Sequence, residues 1–224
     1  MSIRSQEQVA LLTDYDPGSA YSAAYYTFFA NIRFNWNNEQ RVHTLLLTTP
    51  THHAGQATIA ANTAIAAAQS GTPTIVVDAD LRGAGLEQRF GLEKSAGLSD
   101  LLAEDVITTE RVRERLRETF VAGLRLLSAG TVPEGSPSLL STKLQAIIQH
   151  ICLSLSETDN ATGIIIFNSP PVLAGPDASL IGALTEQTFL TIAKGRTTRS
   201  QAKQAQEQLE RAHANLVGIV MLEV

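Results

Sequence analysis

A doubly wound α/β domain, with a mainly parallel β-sheet and helices on both faces, is the fold class that the sequence predicts. Three observations predict it. Short apolar runs alternate with helical segments, as they do in chains of βαβ units. The runs are apolar nearly throughout instead of at every second residue, which is how strands covered on both faces read. The length, 224 residues, suits one such domain with a sizeable core and is short for two.

The elements follow in order. A helix over about Ala20–Arg33 precedes the first strand, His43–Thr49 (HTLLLTT). An Ala-rich helix over about Gln56–Gln69, suited to close packing, leads to the strand Thr74–Asp78 (TIVVD). A helix over Thr109–Thr119 precedes the strand Leu124–Ser128, and one over Ser138–Leu155 precedes Gly163–Asn168 (GIIIFN). Helices over Asp177–Leu184 and Thr198–Ala212 are each followed by a strand, Thr188–Ala193 and Leu216–Leu222. Right-handed crossovers gather the carboxyl ends of parallel strands on one edge, where such sheets bind ligands. Residues 1–18 read as a loose arm, and 19–224 as the single domain.

Composition excludes several function classes. A net charge of -5 and a pI near 5.5 argue against a nucleic-acid binder, which would carry a basic stripe. Lys and Arg are nowhere clustered enough for an electrostatic membrane anchor. No residue between Arg41 and Asp78 carries a formal charge, but Pro50, His52, His53, Gln56, Asn62 and Gln69 interrupt that stretch, so a membrane span is not expected. Met1–Gln8 is polar and holds no apolar signal core. Cys152 is the only cysteine, in an apolar helical pattern, and reads as a buried free thiol of a reducing cytoplasm.

The chemistry is expected in the loop after the first strand: Thr48-Thr49-Pro50-Thr51-His52-His53-Ala54-Gly55-Gln56-Ala57-Thr58, then a helix. Strand, loop and helix at this place form a phosphate cradle. A working loop reads G-x-x-x-x-G-K-S/T, so that backbone N–H groups wrap the phosphates, Lys reaches the β/γ oxygens and the hydroxyl holds Mg²⁺. Of these only Gly55 remains; Gln56 stands at the Lys position and Ala57 at the metal-binding hydroxyl.

The rest of the chain supplies a context. Val76-Val77-Asp78-Ala79-Asp80-Leu81-Arg82 follows the second strand, then Gly91-Leu92 and Gly97-Leu98-Ser99-Asp100-Leu101-Leu102. Later come Ala129-Gly130, Pro133, Pro137-Ser138-Leu139-Leu140, Ile165-Ile166-Phe167-Asn168-Ser169-Pro170-Pro171-Val172 and Asp177-Ala178. With Asn31-Ile32-Arg33-Phe34 before the first strand, these motifs resemble the cytoplasmic kinase domain of bacterial tyrosine kinases. That family is related to MinD-type ATPases and controls capsular and exopolysaccharide polymerisation and export. The resemblance runs from about residue 20 to 222.

The resemblance also marks departures. The family's loop, approximately S-P-x-P-G-E-G-K-S-T, places His53 on its first Gly, Gln56 on its Lys and Ala57 on its Ser. Its Walker B strand ends in Asp, where this chain has Asn168. Asp78 and Asp80, the pair that in the family assists Mg²⁺ and activates the acceptor hydroxyl, are intact and are the only metal candidates. Loss of the Lys contact and of a metal ligand would weaken Mg·ATP binding by ~10²–10⁴-fold, since each charge-assisted hydrogen bond contributes about 1.5–3 kcal/mol. A replacement Lys would have to be Lys94, Lys143, Lys194 or Lys203; of these, Lys194 follows a strand. His52 and His53 read as neutral loop histidines, since adjacent loop residues rarely aim at one ion.

The family's subunit-joining motif, E-x-x-R-x-x-R, aligns with Ala23, Tyr26 and Phe29. An apolar stripe at that spacing reads either as packing on the chain's own sheet or as a homodimer or partner surface. The family's C-terminal tyrosine cluster has no counterpart: all four tyrosines, Tyr15, Tyr21, Tyr25 and Tyr26, lie in the first 26 residues. The family's Asn after the last strand aligns with Leu222.

The resemblance and its departures together imply a catalytically inactive relative, a regulatory or assembly component of polysaccharide synthesis. Its implied partner is a polysaccharide co-polymerase or tyrosine-kinase system, with recruitment to the inner face of the membrane by that partner. No cofactor is expected; Mg·ATP or Mg·ADP enters only where residues 51–58 still bind it. Two alternatives stay open: a weak ATPase or tyrosine kinase working through Asp78 and Asp80, and a module that holds an anion, nucleotide or sugar-phosphate at the helix N-terminus.

Overall fold

The computed structural model describes residues 11–37, 39–53, 55–83, 85–131, 142–156 and 162–222. The chain runs α1 (Ala20–Phe34), β1 (Val42–Thr48), α2 (Gln56–Gln69), β2 (Thr74–Asp78), α3 (Leu86–Arg89), α4 (Leu98–Ala103), α5 (Thr109–Arg115), β3 (Leu116–Glu118) and β4 (Leu124–Leu127). It continues with α6 (Lys143–Ser156), β5 (Gly163–Asn168), α7 (Asp177–Leu184), β6 (Gln187–Ala193), α8 (Arg199–Arg211) and β7 (Leu216–Leu222). The sheet has seven strands in the order β3-β4-β2-β5-β1-β6-β7. All neighbours are parallel except β3 and β4.

Because strand side chains alternate between faces, each central strand feeds two cores. Leu45 and Leu47 of β1, Val76 of β2 and Ile164 and Ile166 of β5 join one buried cluster with α1 and α2. Leu46, Ile75, Val77, Ile165 and Phe167 join the other with α4 and α6. Helix α2 is buried along nearly its whole length, so its alanines serve as small residues that bring it close to the sheet. No helix among the described residues is long and apolar enough to cross a membrane.

Two sequence expectations are corrected. The helix expected to run to Thr119 stops at Arg115, and Leu116–Glu118 forms a strand antiparallel to β4. The open edge of β4 thus wins over the helix propensity of Arg and Glu, a tertiary override of a weak local preference. The last strand, apolar throughout, is not covered on both faces: β7 is an edge strand, with Ile219 52% and Met221 62% exposed. Within the arm, Leu11 and Leu12 are buried and the Leu12 N–H donates to buried Asn62 Oδ1 at 2.8 Å, while residues 13–18 are exposed. Residues 1–10, and the start expected for α6 at Ser138, lie outside the described residues.

The stripe Ala23, Tyr26 and Phe29 does not form one exposed face. Phe29 is 2% exposed in the core, edge-to-face with Trp36 at 6.1 Å, and Ala23 faces out. Half-buried Tyr26 donates its hydroxyl to Gln69 Oε1 at 2.8 Å. At 3.6 residues per turn, Ala23 and Phe29 stand roughly 120° apart around the helix, so one goes inward and the other outward.

Candidate functional site

The carboxyl ends of β1, β2 and β5 bring the expected loop and acidic residues to one edge of the sheet. The loop is pinned by its neighbour across the sheet: the Val172 N–H donates to Thr49 O at 2.8 Å, and Leu173 N–H to Pro50 O at 3.1 Å. Thr48 adds a hydroxyl bond to Pro170 O at 3.1 Å. Helix α2 then starts from Gly55, which gives it no side-chain cap.

Gln56 turns inward. It is 6% exposed; its Oε1 accepts from the Thr49 hydroxyl at 2.9 Å, and its Nε2 donates to the Ser169 carbonyl. Both polar ends therefore tie β1 to the end of β5. His53 is 8% exposed, and its Nδ1 accepts the Gly55 N–H at 3.2 Å. That bond places the ring proton of the neutral form on Nε2, which is buried without a partner among the described residues. Burial, then the charges of His52 and Arg196, hold the His53 pKa below its ordinary value.

Asp78 lies opposite Asn168 in the β2–β5 register and is fully buried. Its Oδ1 accepts from Asn168 Nδ2 at 3.0 Å and from the Asp80 N–H at 3.3 Å. Its Oδ2 accepts from the N–H groups of Gly85 at 3.0 Å and Leu86 at 3.1 Å. Burial pushes its pKa up to about 6 against the pull of these donors. Asp80 accepts the Gly83 N–H at 3.0 Å and lines a cavity of about 470 Å³ with Pro50, His52, Arg82, Pro170 and Leu173. Arg82 is held by Asp177 at 2.9 Å.

Asp78 has a consequence for stability. The unfolded carboxyl titrates near its ordinary value, so between about pH 4 and 6 the folded chain keeps a proton that the unfolded chain has lost. This group's contribution is fully present below the unfolded pKa and is lost as pH rises through the folded one. Two units correspond to ~3 kcal/mol. The stability of Asp78→Asn relative to the unmodified chain should therefore rise by about that much from pH 4 to pH 7, read from melts across the range. A pH-independent difference would contradict the buried-carboxylate account.

Of the candidate replacement lysines, Lys143 is committed to the carbonyls of Leu102 and Glu104, and Lys203 pairs with Glu207 at 3.8 Å. Exposed Lys194 follows β6. Sequence reasoning missed Arg196 in the same turn, whose charge reaches His53. The signal was available, since Arg196 also follows a strand whose carboxyl end lies on this edge. Ala54 lies outside the described residues; Thr51, Ala57 and Thr58 lie in the loop and first turn as expected, the Thr58 hydroxyl buried without a partner among the described residues.

A central parallel sheet with a strand–loop–helix cradle at its carboxyl edge defines a fold of the P-loop NTPase class. No protein-family model matches the chain. It is similar to the tyrosine-protein kinase YwqD of Bacillus subtilis, with 29% identity over 218 residues, 97% of this chain and 86% of the relative. Among solved structures, the BceF tyrosine kinase domain has a TM-score of 0.78 at 29% identity, covering 94% of this chain and 81% of that one. The kinase domain of Escherichia coli ETK has a TM-score of 0.81 at 21% identity, covering 95% and 79%, and attests the fold. MinD of Pyrococcus horikoshii, solved with Mg-ADP, shares that fold more loosely, at a TM-score of 0.63 and 19% identity over 80% of this chain and 70% of that one. The relatives of this chain are thus bacterial tyrosine-protein kinases, and its fold is the one they share with MinD.

Proposed function

We propose that this chain is a non-catalytic relative of the bacterial tyrosine kinases, serving as a regulatory or assembly component of capsule or exopolysaccharide production. One observation carries the reading: both polar ends of Gln56 are spent on Thr49 and Ser169, so the side chain at the Lys position holds the protein together instead of reaching a phosphate. The metal side agrees with it. Four donors occupy the oxygens of Asp78, one of them the Asn168 amide that stands where the family has a carboxylate. In this arrangement the residues do not fit a Mg²⁺-bound nucleotide. Phosphoryl transfer depends on positioning and charge stabilisation, so turnover suffers more than binding. The partner would be a membrane co-polymerase or an active tyrosine kinase, which would recruit the chain to the inner face of the membrane. With radiolabelled ATP and Mg²⁺, the expected transfer to itself or to a tyrosine peptide is none; steady incorporation abolished by Asp80→Ala would establish an active enzyme instead.

A second reading, a magnesium-independent binder of a phosphate-bearing ligand, is favoured by His53 Nε2, which has no partner among the described residues, and by Arg196 close enough to influence it. Helix N-termini hold anions through backbone N–H groups without a metal. Its expected signature is a melting shift with inorganic phosphate or ADP that survives chelation of Mg²⁺ and is lost in Arg196→Ala.

A further inference from the structure

The four tyrosines are not equivalent. Half-buried Tyr25 packs edge-on against Tyr21 with ring centroids 5.2 Å apart, Tyr21 Oη accepts from Asn62 Nδ2 at 2.9 Å, and Tyr26 is spent on Gln69. Tyr15 is 39% exposed, and no hydrogen bond engages its hydroxyl among the described residues. It lies between Asp14 and Asp16 just after the short 3-10 helix Leu12–Asp14, with extended backbone (φ -107, ψ 151), a form that an active site can grip without unwinding a helix. Its ring stacks on Tyr21 at 4.1 Å, and through Tyr21 and Asn62 it stands over the bond that holds Leu12 down.

We propose that Tyr15 is a phosphorylation site for an active tyrosine kinase, and that the phosphate releases the Leu11–Leu12 strap from α2. The proposal rests on the reading of this chain as a partner of such a kinase. In the step, the γ-phosphorus of ATP bound to that kinase parts from its β–γ bridging oxygen and bonds to Tyr15 Oη. ADP leaves, and the phenolic proton passes through a carboxylate of the kinase to solvent. The product places a near-dianion beside two carboxylates. Asp14 already caps the Leu11 N–H at 2.8 Å and Asp16 the Gly18 N–H at 2.8 Å, so both are fixed close by. No Lys or Arg lies between Leu11 and Ile32 to receive the new charge. Repulsion then opposes the stack on Tyr21, and the strap that Tyr21 and Asn62 secure comes loose.

The test incubates the full chain with Mg·ATP and the Bacillus subtilis relative, whose own labelling reports that it is active. Mass spectrometry should find one phosphate, on Tyr15, and Tyr15→Phe, which keeps the ring stack, should lose it. Hydrogen exchange at the Leu12 amide should quicken in the phosphorylated chain and stay slow in the variant. An unlabelled chain beside a labelled kinase, or phosphate on Tyr21, Tyr25 or Tyr26 with Tyr15 unmodified, would overturn the assignment. Phosphate on Tyr15 with unchanged exchange at Leu12 would overturn the release. Labelling of Tyr15 without added kinase would instead overturn the non-catalytic reading.

Discussion

Gln56→Lys/Ala57→Ser is expected to raise affinity for Mg·ATP by ~10²–10⁴-fold, because it restores one charge-assisted phosphate contact and one metal ligand at about 1.5–3 kcal/mol each. The same change should weaken the nucleotide-free protein. Thr49 Oγ1 and the Ser169 carbonyl, both buried one residue beyond the ends of β1 and β5, lose the partners that Gln56 gives them. An unsatisfied buried polar group costs about 1–3 kcal/mol, so the double variant should melt lower when empty and recover on adding Mg·ATP. A gain without the penalty would mean that the Gln56 bonds are unimportant; a penalty without the gain would mean that His53, at the first Gly position, blocks the cradle.

Phe29→Ala is expected to cost about 3–5 kcal/mol, the range for removing a buried aromatic side chain. For a chain of this size that lowers Tm by roughly 6–20 °C. The ring is 2% exposed and packs on Trp36, which itself stacks on His43 at 4.2 Å, so the loss spreads from α1 to the start of β1. The mass in solution should not change, because a side chain inside the core cannot also be a contact between copies. A variant that melts normally but changes its state of association would restore the docking reading of this stripe.

The central sheet was legible because β1, β2 and β5 are short, nearly continuous apolar runs, a length that suits strands better than helices. The sheet edges were not. Leu116–Glu118 contains Arg and Glu, good helix formers, and only the open side of β4 makes a strand of them. β7 reads as a fully buried strand, but whether a strand is covered depends on its place in the sheet order, which apolar composition does not encode. At the site, the resemblance implies that Gln56, Ala57 and Asn168 stand at the positions of the Lys, the Ser and the Walker B Asp. The sequence does not show that Gln56 and Asn168 take up structural bonds in their places, since those partners come from β1, β2 and the end of β5. Arg196 carries the same signal as Lys194, since both follow β6 and a guanidinium binds phosphate at least as well as an ammonium.

The central claim is that the cradle no longer holds a nucleotide, and a calorimetric titration of Mg·ATP and Mg·ADP into the unmodified chain tests it most directly. The expected result is no saturable heat at millimolar nucleotide, with binding regained in Gln56→Lys/Ala57→Ser. Micromolar binding by the unmodified chain would contradict the account and put the enzyme reading first, to be decided by turnover.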